Sequence, residues 1–102
     1  MAAGFILRSM KFRESLMVNV CDAELLGRRV EEGGLNVVID ESYFAGELVD
    51  DGTAIASLRN CGIANLVGER IVAKAVSERL ADPNAIRTIG GVPFLMIYKF
   101  SP

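Results

Sequence analysis

The stretch from Ile63 to Leu80 constrains the fold most. Ile63, Leu66, Val67, Ile71, Val72, Ala75, Val76 and Leu80 recur at three- and four-residue spacing, the pattern of a helix with one apolar stripe. Arg70, Lys74 and Glu78 repeat every fourth residue on the other side. The spacing predicts a helix from about Asn65 to Leu80, stopped by Asp82-Pro83. An isolated helix of that length is marginal in water, so its stripe needs a sheet to cover it.

The two ends of the chain supply one. Residues 5–11 and 15–21 read as strands joined by the short hairpin segment Phe12-Arg13-Glu14. In the second strand Leu16, Val18 and Val20 alternate with Met17, Asn19 and Cys21, the period of a pleat. Asp22 is placed to cap a short helix over Ala23–Arg28, and Gly33-Gly34 ends the following turn. Leu35–Asp40 reads as a third strand, rich in β-branched bulk. Residues 41–52 read mostly as loop, with an extended piece at Glu47–Val49. A helix over Thr53–Asn60 is capped by Asp51 or Thr53 and closed by Gly62 in a left-handed conformation. Ile86–Ile89 and Val92–Phe100 finish as strands around Gly90-Gly91, with Pro93 at a strand start or an edge.

Strands at both ends with helices between predict an α+β fold. It is a mainly antiparallel sheet from the N- and C-terminal strands, with two to three helices packed on one face. The 102 residues suit a single domain spanning 1–102, and the 51% hydrophobic and 24% charged content is that of a globular chain. No window approaches the ~18 uninterrupted apolar residues of a membrane span, and no secretory pattern opens the chain. Cys21 and Cys61 therefore read as buried thiols of a cytoplasmic protein.

Several chemistries are hard to build from this composition. The chain has no histidine, which removes the usual general base near neutral pH, the Ser–His and Cys–His pairs and most zinc sites. The phosphate-loop and dinucleotide-loop strings are missing, as are the G-x-x-G loop and the aromatic strand signature of common RNA modules. The formal net charge of −2 lacks the basic excess that gripping many phosphates requires. No catalytic residue, metal ligand or cofactor is assigned. The carboxylates Asp40-Glu41, Glu47 and Asp50-Asp51 cluster in one loop-rich segment and read as a solvated acidic turn, with acid–base or magnesium work as the alternative.

The segment Gly62-Ile63-Ala64-Asn65-Leu66-Val67-Gly68-Glu69-Arg70 carries the strongest binding signal. Its two glycines flank the predicted helix start, where free N–H groups attract anions. Asn65 serves as N-cap or turns its amide to a ligand. Gly68 falls where a helix interior prefers Ala by ~1 kcal/mol, so something packs against its backbone: a neighbouring element, a ligand, a partner chain or RNA. Gly46, Glu47, Asn65, Gly68, Glu69, Arg70 and Lys74 are the candidate binding residues.

Asp22-x-x-Leu25-Leu26-Gly27, Phe44-x-Gly46-Glu47, Ala64-Asn65-Leu66-Val67-Gly68-Glu69 and Gly91-Val92-Pro93 occur in the order and spacing of an archaeal family, domain of unknown function 424. The chain resembles that family over roughly residues 5–100. The resemblance implies an archaeal cytosolic protein of unestablished activity with an RNA-binding label, and it carries over no catalytic residue. Many members have His after the Gly-Val-Pro motif, where this chain has Phe94. That departure favours binding over a shared chemistry.

Three functions follow in order. The first is a non-catalytic binding module associated with RNA or translation, with Arg28, Arg29, Arg59, Arg70 and Lys74 on phosphates. The second is a protein–protein or homo-oligomeric module pairing through Phe94, Leu95, Met96, Ile97, Tyr98 and Phe100 at a sheet edge. The third is a metal-dependent enzyme using Glu47, Asp50 or Glu69.

Overall fold

The computed structural model describes residues 4–39 and 46–99. Asp40, Glu41, Phe44 and Phe100, invoked above, lie outside them. The fold is α+β. Strands β1 (Phe5–Phe12), β2 (Ser15–Asp22), β5 (Glu47–Val49), β6 (Ile63–Val67), β7 (Arg87–Ile89) and β8 (Val92–Tyr98) form a six-stranded sheet in the order β5-β1-β2-β6-β8-β7. Every neighbouring pair is antiparallel except β2 with β6. A hairpin of β3 (Arg29–Glu32) and β4 (Leu35–Val38) forms a separate two-stranded sheet. The helices are α1 (Asp51–Asn60) and α2 (Glu69–Ser77).

Strand alternation divides the sheet into two faces. Phe5, Leu7, Val18, Val20, Ala64, Leu66, Leu95 and Ile97 pack with Ala54 and Leu58 of α1 and with Ile71, Val72 and Ala75 of α2 in one core cluster. Side chains from both ends of the chain thus meet those of α2, as the apolar stripe demanded. On the other face Cys21 and Val67 pack with Ile39, and Ile6, Leu25, Leu26, Val92 and Phe94 join this smaller cluster.

The predicted helix over 65–80 divides. Its first part is β6, whose residues Ala64 and Leu66 meet the helices while Val67 enters the second cluster. A strand buried on one face and partly covered on the other carries apolar residues on both, which three- and four-residue spacing also fits. Gly68 then reverses the chain at φ 124° as the N-cap of α2, so Asn65 is a strand residue and not a cap. The helix ends before Asp82-Pro83: Leu80 N–H donates to Ala75 O (2.9 Å) and Arg79 N–H to Val76 O (3.0 Å), a Schellman closure with Arg79 at φ 60°.

Other local expectations shift as well. Ala23–Leu25 is a single 3-10 turn, and the chain runs on into β3, which the composition hid. Asp50 rather than Asp51 or Thr53 caps α1, its Oδ1 accepting from Thr53 N–H at 2.8 Å. Gly62 leads into β6 without a positive φ, because α1 closes through extended Cys61. Gly90 and Gly91 take φ 57° and 80° in the β7–β8 turn, and Pro93 is the second residue of β8. Among the described residues no helix is long and apolar enough to cross a membrane.

Candidate functional site

The amino end of α2 is filled from within the chain. Strand β2 ends at Asp22, whose parity directs its side chain to the helix face. Asp22 Oδ2 accepts from Arg70 N–H (3.0 Å) and Oδ1 from Ile71 N–H (2.9 Å). These are the donors that sequence alone offers to an external anion. Asp22 is almost fully buried. Burial pushes its carboxyl above the ordinary carboxylate range, opposed by those two N–H donors and by the Arg70 charge. The close partner expected against the Gly68 backbone is this carboxylate.

Three of the predicted cations are also engaged. Arg70 grips Glu24 through Nε (3.1 Å) and Nη2 (2.5 Å), donates to Gly4 O (3.0 Å), and lies 4.8 Å from the Phe5 ring centroid. The Arg70 hydrogen bond lowers the Glu24 pKa, and that bond also raises the Arg70 pKa. Lys74 pairs with Asp51 at 3.0 Å, and Arg59 with Glu78 at 2.6 Å, tying α2 to α1. Glu69 is exposed in the first turn of α2. Gly46 precedes β5, where a Cβ would strike Leu7 O, and Glu47, exposed, lies opposite Leu7. The candidate residues therefore do not converge: Gly68, Glu69, Arg70 and Lys74 serve α2, Gly46 and Glu47 stand at the β5 edge, and Asn65 faces the opposite side of the sheet.

A different arrangement gathers around Asn65. Register places Arg8, Asn19, Asn65 and Met96 in one row across β1, β2, β6 and β8. Asn65 Nδ2 donates to Oδ1 of the fully buried Asn19 at 2.8 Å. Among the described residues no buried side-chain polar atom lacks a partner. Beside this row runs a groove of about 570 Å³, between the β3–β4 hairpin and strands β6, β8 and β7. Val37, Val38, Val67, Phe94 and Met96 line it, with Asn65 and Arg87 as its polar side chains. Apolar walls with a few fixed polar groups, at this size, are the usual composition of a ligand site.

Of the groove's lining, the sequence pointed only to Asn65 as a ligand contact. Asn19 carried a signal, an amide in an otherwise apolar alternation, but its meeting with Asn65 needs the parallel β2–β6 pairing, which has no local signature. Both cysteines are free and buried. Burial pushes the Cys21 thiol up to about 12. Among the described residues no group of three or more acidic or thiol side chains is placed to hold a metal ion.

The profile described as a protein of unknown function, DUF424, matches residues 11–100. The chain belongs to the DUF424 family. The DUF424 chain is also similar to a crystal structure of an uncharacterized conserved protein from Methanopyrus kandleri, with 22% identity and a TM-score of 0.74 over 96% of this chain and 95% of that one. That likeness shows a shared fold. No curated protein matches the chain.

Proposed function

We propose that this DUF424 protein is a non-catalytic binding module whose ligand enters the groove between the β3–β4 hairpin and strands β6, β8 and β7. One observation carries the reading: the groove of about 570 Å³ combines apolar walls with the Asn65 amide, oriented by Asn19, and the Arg87 guanidinium. The acidic side chains nominated for catalysis support chemistry poorly. Asp50 is occupied as the cap of α1, and Glu47 and Glu69 stand exposed on separate elements.

An RNA ligand has less support from side chains. Arg59, Arg70 and Lys74 are already paired with carboxylates, so a phosphate must displace each one. Arg28 and Arg29 remain exposed. Amide chemical-shift mapping with indole, a neutral apolar probe, tests the groove. Saturable shifts confined to Val37, Val38, Asn65, Arg87, Phe94 and Met96 support it. Shifts gathered at Gly68–Ile71, or none that saturate, overturn it.

Self-association through β8 is the second reading. The β7 ladder ends at Phe94, and beyond it the Met96 and Tyr98 side chains are 49% and 53% exposed. Sedimentation velocity that finds dimer in the native chain and monomer in Met96→Lys supports it. Monomer alone at high concentration removes it.

A further inference from the structure

We infer that the groove takes a small apolar molecule bearing a single carboxylate, with Arg87 as its counter-ion. This rests on the groove being the binding site. The argument is one of charge complementarity. None of the residues lining the groove is acidic. Arg87 is exposed there, and its side chain makes no ion pair among the described residues, whereas Arg59 and Arg70 each hold a carboxylate. A neutral ligand leaves that guanidinium unmatched. A carboxylate meets it in the two-bond geometry that its planar fork favours.

One cation among apolar walls selects one negative charge on an apolar stem. The stem lies against Val38, Phe94 and Met96, and the unbranched thioether of Met96 adapts to its shape. Water displaced from Arg87 by the bound apolar stem strengthens the ion pair at the groove's rim.

The test compares octanoate with octan-1-ol, both below micellar concentration, by amide chemical-shift titration of the native chain and of Arg87→Gln. The groove amides are expected to saturate with both probes, with octanoate bound about tenfold more tightly. Arg87→Gln should bring octanoate down to the affinity of octanol and leave octanol unchanged. Equal affinities in the native chain, or an octanoate preference that survives Arg87→Gln, overturn the carboxylate inference and leave the groove reading standing. Groove amides that respond to neither probe overturn both.

Discussion

The carboxylate of Asp22 stands where a side chain on residue 68 would begin. An ideal Cβ on Gly68 lies 2.5 Å from Asp22 Oδ2 and 2.8 Å from Oδ1, and the backbone there sits at φ 124°. A glycine and a buried acid 46 positions apart in the chain thus form one cap for α2. Gly68→Ala must both strain the backbone and displace the carboxylate from the Arg70 and Ile71 N–H groups. We expect a loss of about 2–4 kcal/mol. In a domain of this size each kcal/mol lowers Tm by about 4–8 °C. Denaturant unfolding of Gly68→Ala, Asp22→Ala and the double variant checks the account. The double variant should fall short of additivity by about 1 kcal/mol or more, and strict additivity would disconnect the two residues.

The Schellman closure of α2 makes the opposite kind of prediction. Arg79 holds φ 60° with its side chain exposed and outside any ion pair among the described residues. A left-handed conformation costs a side-chain-bearing residue about 1–2 kcal/mol that glycine escapes. Arg79→Gly should raise stability by up to about 1 kcal/mol, once the extra entropy of an unfolded glycine is subtracted. A lowered Tm for Arg79→Gly contradicts this.

Acid should loosen the Glu24–Arg70 clasp. The hydrogen bond from Arg70 lowers the Glu24 pKa from its ordinary 4.5. The ionised, stabilising form is fully present above 4.5, and its contribution is lost as pH falls through the lower folded value. Asp22 acts in reverse. Its pKa is raised above 3.8 by burial, so its proton linkage favours the folded state most below 3.8 and less as pH rises through the folded value. The stability gap between the native chain and Glu24→Gln should therefore be widest near neutral pH and close in strong acid. A gap independent of pH between 2 and 7 counts against the clasp.

Both thiols should be silent in the native state. Burial holds the Cys21 thiol near 12 and raises Cys61, and the thiolate is the reactive form. Ellman's reagent at pH 8 should titrate neither cysteine until denaturant is added, and then both. Rapid modification of the native chain would show that one of them is accessible.

How much of this was legible in the sequence follows from the range of the interactions involved. The β1–β2 hairpin and the Gly90-Gly91 turn announce themselves locally, through alternation and turn glycines, and α1 does so through the spacing of Ile55 and Leu58, although its cap is Asp50, one residue before the first expected one. The 63–77 segment does not, because a strand with apolar residues on both faces and a helix stripe share the same spacing of apolar residues. Gly68 signals a close contact, yet its partner Asp22 comes from a distant strand, and its position before Ala23 reads locally as the cap of its own turn. The groove was hidden for the same reason. Asn65 reads from the sequence as a contact, but Val38, Arg87 and Met96 reach it only through sheet order and through the docking of a hairpin whose first strand, Arg29–Glu32, is mostly polar.

The most direct test of the central claim is crystallographic soaking with small apolar and anionic fragments, followed by location of the bound density. The account predicts fragments in the groove between Val38 and Met96, within reach of Asn65 and Arg87, and none at the start of α2. Fragments or anions seated on the Arg70 and Ile71 amides, with Asp22 turned away and the groove empty, would contradict it.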